Sequence, residues 1–178
     1  MAQKTTHVSV DPETLPYRPC VGIMVLSPTN QVWVGHRFDT PKDTEGAGTW
    51  WQMPQGGIDT GEESRAAALR ELYEETSIRS VEIVAETADW LTYDLPSELI
   101  GVAWKGRFRG QKQKWYAARF LGSDDEIDIL TPGGGTHKPE FDAWKWAPMA
   151  ELTGLIIPFK RAVYETLISE FGHLASQP

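Results

Sequence analysis

Residues 56–78 read GGIDTGEESRAAALRELYEETSI. Good helix formers fill 64–76, and Ser64 is a residue type that caps a helix start, so the stretch predicts a helix over 64–76. With Glu71 at zero and about 100° per residue, Glu74 falls at roughly 300° and Glu75 at roughly 40°. Leu72, Thr76, Leu69, Tyr73 and Ala66 take the opposite side and are expected to form the core stripe. Glu71 and Glu75 repel at i,i+4, with Glu74 beside both, and a hard divalent cation such as Mg²⁺ would relieve that repulsion. Taken alone, three glutamates read equally as a solvated acidic face. Ahead of the helix, Gly56 and Gly57 let the backbone turn and come close to a phosphate, although two glycines alone also make an ordinary turn. Arg70 is placed to hold Glu62 or Glu71 by charge-assisted hydrogen bonds. By itself it would be a surface ion pair of little worth.

Working outward, 1–16 is polar with two prolines and reads as a flexible lead-in. Residues 20–27 (CVGIMVLS) and 31–35 (QVWVG) are apolar and β-branched around Pro28-Thr29-Asn30, which predicts a hairpin. Residues 39–49 are expected to form an exposed loop, and Trp50 to Met53 a short extended stretch stopped by Pro54 and the glycine pair. One or two strands are expected within 81–94, with Ser80 to Glu86 the clearer part, and further strands at 113–121 and 142–147, and Gly133-Gly134-Gly135 reads as a flexible loop. Pro158 suits the first position of a final helix over 159–171, where Val163, Leu167, Ile168 and Phe171 recur at helical spacing. Short strands mixed with two helices give an α+β or α/β/α layered arrangement with no dividing linker.

The chain has 178 residues, suited to one domain with a buried core. No apolar run approaches the ~18 residues of a membrane span, and no signal-peptide core is present. The single cysteine, Cys20, excludes an internal disulfide and a cysteine-rich zinc site. It reads as a small core residue. These features lead us to expect a cytoplasmic protein. The formal charge of −8 argues against a wholly basic nucleic-acid binder but leaves room for local clusters.

The order Gly56, five residues, Glu62, seven residues, then Arg70-Glu71-Leu72-Tyr73-Glu74-Glu75-Thr76-Ser77-Ile78 resembles the Nudix box, departing from it only where Ser77 replaces a glycine. That position ends the helix, where a left-handed backbone is common and costs a serine roughly 1 kcal/mol. The resemblance implies a single-domain α/β/α sandwich with a mixed sheet over 17–172, a tail at 173–178, and hydrolysis of phosphoanhydride bonds with Mg²⁺ or Mn²⁺, several ions being expected with substrate bound. Further stretches widen it: Tyr17-Arg18-Pro19, Trp51-Gln52-Met53-Pro54-Gln55-Gly56-Gly57, Tyr93-Asp94-Leu95-Pro96, Gly110-Gln111-Lys112-Gln113-Lys114-Trp115-Tyr116, Pro139-Glu140-Phe141 and Phe159-Lys160-Arg161. They resemble the branch of RNA pyrophosphohydrolases and asymmetric dinucleoside tetraphosphate hydrolases. In that branch a late glutamate helps bind metal or acts as base, and Glu126 is taken as its match. The implied metal set is Glu71, Glu74, Glu75, Glu126 and Gly56. The implied catalytic set is Glu74 and Glu126, either one as base, with Arg70.

Phosphoanhydride cleavage needs cations on the phosphate oxygens and a water placed in line. Trp104 to Phe120 carries Lys105, Arg107, Arg109, Lys112, Lys114 and Arg119 with no acid, interleaved with Trp104, Phe108, Trp115, Tyr116 and Phe120. Such a segment suits a polyphosphate and stacked bases, although strand alternation accounts for part of it. Lys112 and Lys114 are the expected phosphate contacts, with Arg18, Arg37, Lys160 and Arg161 extending the basic rim. Arg18, Gln52, Gly57 and Tyr93 complete the expected substrate-binding set. His7, His36, His137 and His173 have no ligand spacing. Two substrates share this reading: 5′-triphosphate RNA, losing pyrophosphate in mRNA decay, and diadenosine tetraphosphate, giving ATP and AMP. The RNA reading is preferred. A silent nucleotide-sensing module is disfavoured because Glu71, Glu74 and Glu75 are all present. No obligate protein partner is evident, and a monomer is expected.

Overall fold

A computed structural model describes residues 11–38 and 49–175. Most of the loop expected over 39–49 lies outside the described residues. The continuous apolar run after Arg18 becomes β1 (Tyr17–Leu26), whose residues from Cys20 onward are all buried, as expected of a strand covered on both faces. It turns through Ser27–Gln31 into β2 (Val32–Arg37), antiparallel with Leu26 opposite Val32. Asn30 takes the left-handed conformation in that turn, at φ 61°. Then follow β3 (Trp51–Gln52), β4 (Gln55–Gly57), helix α1 (Ser64–Thr76), β5 (Val81–Glu86), β6 (Leu91–Asp94) and β7 (Gly110–Phe120). A single turn, α2 (Pro132–Gly135), precedes β8 (Phe141–Ala147), and α3 (Leu152–Leu155) leads to α4 (Arg161–Ala175).

The eight strands form one mixed sheet in the order β3-β2-β1-β7-β5, with β4 on β1, β6 on β7 and β8 on β2. β1 and β7 run parallel over ten residue pairs, while their other partners are antiparallel. Successive side chains of β1 and β7 point to opposite faces. Met24, Leu26, Trp115 and Ala117 pack with Val163, Tyr164, Leu167 and Phe171 of α4. Val21, Ile23, Val25, Tyr116 and Ala118 pack with Ala67, Ala68 and Leu72 of α1. The result is the expected helix–sheet–helix sandwich.

Several local expectations are revised. Gln55–Gly57 is a strand paired with β1 rather than a terminating turn. β7 begins at Gly110, before the 113 expected. α4 reaches Ala175, past the 172 boundary, and Pro158 opens a short 3₁₀ turn ahead of it. The glycine triplet makes the single turn α2 in the left-handed region, at φ 63°, 71° and 84°, with Pro132 and Gly133 buried. Ser64 does not cap α1. The capping position is Glu63, and the Ser64 hydroxyl is 2.6 Å from the Tyr116 hydroxyl. The buried face of α1 is Ala67, Ala68, Leu72, Glu75 and Thr76, whereas Ala66 and Leu69 are exposed. Small alanines let the helix lie close on the sheet, so the core stripe sits about 60–100° from where the larger side chains point, and it overlaps the acidic face. Ser77 ends the helix in the left-handed conformation at φ 65°. Its hydroxyl donates to the Asp128 carbonyl and accepts from the Gly133 N–H, tying the helix end to α2.

Candidate active site

A cleft of about 520 Å³ opens where β1, β3 and β4 meet the loop before β8 and the 3₁₀ turn ahead of α4. Arg18, Arg37, Gln52, Gly56, Gly57, Tyr93 and Lys160 line it, together with Glu71. One end is acidic. Gly56 stands directly against the Glu71 carboxylate, leaving no space for a β-carbon, since that atom would lie 2.1 Å from Oε2. Arg70 fans across the neighbouring acids. Its Nε and Nη2 each donate to Glu62 at 2.8 Å, Nη1 donates to Glu71 at 3.0 Å and to Glu74 at 3.4 Å, and Nη2 also reaches the Gly57 carbonyl at 2.8 Å. The guanidinium holds Glu62 down to a pKa of about 2. Arg70 is therefore a clamp that fixes the acidic face and the glycine strand together, rather than a group aimed into the cleft.

Glu75 is 3% exposed and accepts the Gln55 N–H at 3.2 Å. Burial, and then the negative charges of Glu140 and Glu71, push its carboxyl well above the usual range. Glu71 is also raised, chiefly by burial, with Arg70 opposing the shift. Glu74 is the most exposed of the three, with the His137 ring 3.8 Å from Oε2. Among the described residues no three acid or histidine side chains converge closely enough to hold an ion as they stand. The donors nevertheless suit a hard divalent cation. They are all oxygens, clustered with more negative charge than Arg70 offsets, and partly out of water.

The structure does not bring Glu126 to the cleft. Its Oε1 accepts the backbone N–H groups of Arg79 and Ser80 at 2.6 and 2.8 Å. Burial raises its pKa, but those donors outweigh burial and hold it low. The late glutamate that does line the cleft is Glu140, paired with Arg37 Nη1 at 3.1 Å. It lies just before β8, beside a bulge at His36 and Arg37 of β2, the kind of irregularity that redirects side chains near sites. Its signal in the sequence was the Pro139-Glu140-Phe141 block, which carries no acidic run.

Lys112 and Lys114 also lie away from the cleft. Along β7 the odd residues Gln111, Gln113 and Trp115 face the α4 side, leaving Lys112 and Lys114 on the other face. Lys112 sits over Trp90 at 5.3 Å, and Lys114 bonds the Thr87 carbonyl with Glu86 4.0 Å away. The cleft instead receives Gln111, which accepts from buried Gln113 at 2.8 Å. Lys160, 5.5 Å over the Tyr93 ring, donates to Gln52 Oε1 at 3.3 Å, and burial pushes its ammonium down to about 7. Tyr164 of α4 supports this wall from behind, its hydroxyl accepting the Met53 N–H at 3.0 Å.

Acidic oxygens at one end of a cleft, and arginines, a lysine and aromatic rings along it, are chemically suited to a polyphosphate joined to something flat. The model of the NUDIX domain matches residues 16–167, and the chain belongs to the Nudix family of hydrolases, which act on phosphoanhydride bonds and generally use divalent metal ions. The chain is 61% identical over 168 residues to a Mesorhizobium japonicum protein named RNA pyrophosphohydrolase, covering 93% of this chain and 96% of the relative. It is 57% identical over 172 residues to a Brucella ovis protein of the same name, covering 96% of each. Among solved structures it resembles the dihydroneopterin triphosphate pyrophosphohydrolase of E. coli, with a TM-score of 0.63 at 18% identity over 87% of this chain and 99% of that one. It also resembles the MutT protein of Methanosarcina mazei, with a TM-score of 0.62 at 16% identity over 88% of this chain and 96% of that one. At such identities these two likenesses establish the fold alone.

Proposed function

We propose that this protein removes pyrophosphate from the 5′-triphosphate end of RNA, as a cytoplasmic enzyme using Mg²⁺ or Mn²⁺. The observation that carries the reading is one cleft joining Glu71 and Glu140 to Arg18, Arg37, Lys160 and the Tyr93 ring. The names of the close relatives support it. Described residues contain no helix long and apolar enough to cross a membrane.

Glu71, Glu74, Glu75 and Glu140, with the Gly56 backbone beside them, are the residues that would hold the ions. Divalent ions held there would neutralise phosphate oxygens and acidify water. Arg70 keeps the helix carboxylates in place. Arg37 and Lys160 offset charge on the phosphates, and Arg18 lines the same cleft beside Trp104. Glu74, the most exposed of the helix acids, is the group suited to take the proton of the attacking water as that oxygen bonds phosphorus and the P–O–P bridge breaks. Glu126, committed to backbone donors outside the cleft, has no part in this scheme. The test compares kcat/KM for pyrophosphate release from a 5′-triphosphorylated oligonucleotide with that for cleavage of diadenosine tetraphosphate, in Mg²⁺ and in Mn²⁺. The RNA value is expected to be higher. A higher value on the dinucleotide contradicts the proposal.

A further inference from the structure

The segment between β6 and β7 carries a backbone anomaly that the reaction does not explain. Trp104 and Lys105 both take left-handed conformations, at φ 49° and 60°, and Gly106 follows at φ 69°. Two successive non-glycine residues in that region are strained, and such strain persists where surrounding structure holds it, often at ligand sites. Here it is held by Gly106 against the Gly101 backbone and by the Arg107 N–H to the Trp104 carbonyl. The strained turn delivers the half-buried Trp104 indole to the cleft wall. Phe108 packs edge-on against it at 6.4 Å, and the Arg18 guanidinium lies 5.7 Å from its ring centroid. Arg18 is itself pressed against Gly57, where a β-carbon would stand 2.5 Å from Nη2. Lys105 and Arg107 flank the indole, exposed, and neither pairs with a carboxylate among the described residues.

We propose that Trp104 and Arg18 form a nucleobase-stacking subsite, and that Lys105 and Arg107 beside it follow the ribose-phosphate chain of a single-stranded RNA. Arg107 Nε donates to the Trp104 carbonyl at 3.4 Å and its guanidinium lies 5.6 Å from the Phe108 ring centroid, so it stays on this surface with its charge free of carboxylates among the described residues. A flat π-surface next to cations not neutralised by acids is the chemistry that takes single strands without reading their sequence. Part of the indole packs against the α4-side core, and the strained turn leaves the rest of it on the cleft wall. This inference rests on the RNA reading above for its ligand, and the test separates the two.

The test uses the full chain and measures binding of a fluorescently labelled 5′-monophosphorylated octanucleotide, with inorganic tripolyphosphate as a competitor that has phosphates but no base. Trp104→Asn keeps a residue that tolerates the left-handed backbone and removes the ring. It is expected to weaken RNA binding by about ten- to hundredfold, the loss of one stacked base, and to raise KM on triphosphorylated RNA with kcat changed by less than about threefold. The tripolyphosphate inhibition constant should stay within about threefold, and Trp104→Phe should restore most of the RNA affinity. Lys105→Ala/Arg107→Ala should flatten the salt dependence of RNA binding. Unchanged RNA affinity in Trp104→Asn, or an equal loss for RNA and tripolyphosphate, overturns the proposal, as does a wild-type protein that does not bind the octanucleotide. If wild type binds RNA through Trp104 yet releases no pyrophosphate, the subsite stands and the proposed reaction falls.

Discussion

Gly56 and Glu71 are packed so closely that a β-carbon on the glycine would lie 2.1 Å from Glu71 Oε2. The obstructing atom is the far end of a flexible side chain, so Gly56→Ala should fold with the carboxylate pushed aside. Because a misplacement of about 1 Å in a catalytic constellation can cost roughly a hundredfold, kcat is expected to fall by about that factor. A melting temperature lowered by only a few degrees, alongside the lost turnover, would separate displacement from unfolding.

Glu140 and Glu126 should behave oppositely. Glu140→Gln is expected to lower kcat/KM by two or more orders of magnitude with little change in melting temperature. Glu126→Ala is expected to keep kcat/KM within about threefold while losing roughly 1–2 kcal/mol of stability, since the Arg79 and Ser80 N–H groups lose a charged acceptor. Denaturant titration and steady-state kinetics on both variants check this pair.

Lys160 makes the cleft sensitive to pH near neutrality. Its ammonium is pushed down to about 7, below the ordinary lysine value it regains on unfolding. Burying the charge therefore costs stability in full below pH 7, and the cost fades as pH rises from 7 toward the unfolded value. Lys160→Met should raise the melting temperature at pH 6, and the gain should shrink by pH 10. In the wild type, KM for a polyphosphate substrate should rise as pH passes through about 7 and the positive charge is lost. In Lys160→Met it should be higher throughout and flat. By contrast, Lys112→Ala and Lys114→Ala should change KM by less than about threefold, because neither side chain reaches the cleft.

Tyr164 couples the last helix to the glycine strand. Tyr164→Phe leaves the buried Met53 N–H without its acceptor, a loss of roughly 1–3 kcal/mol. A fall in melting temperature of about 2–4 °C per kcal/mol would register it.

The hairpin, α1, the extended structure within 81–94 and α4 were legible because their periodicity and turn residues are local properties. The acidic residues of α1 were legible as a group, but their depth was not: a helical wheel ranks faces by side-chain size, whereas Ala67 and Ala68 set the contact with the sheet and carry Glu75 inward. Lys112 and Lys114 were misplaced because a basic, aromatic composition does not say which strand face looks into a cleft, and alternation along β7 sends Gln111 there instead. Glu126 was misplaced for a related reason, since the late glutamate at the cleft is Glu140, which was not singled out. Both follow β7, and an acidic run draws notice, but which loop folds back over α1 depends on the pairing of β8 with β2. No local pattern encodes that. The Tyr164–Met53 contact, between residues 111 positions apart, was likewise outside the reach of sequence pattern.

In the proposed reaction the α1 acids and Glu140 bind the divalent ions on which hydrolysis depends. Anomalous scattering from crystals grown with Mn²⁺ and a non-cleavable triphosphate tests it most directly. Manganese is expected between Glu71, Glu74, Glu75 and Glu140, retained in Glu126→Gln and lost or depleted in Glu75→Gln. Manganese bound at Glu126, or none beside α1 with the triphosphate in the cleft, would contradict it.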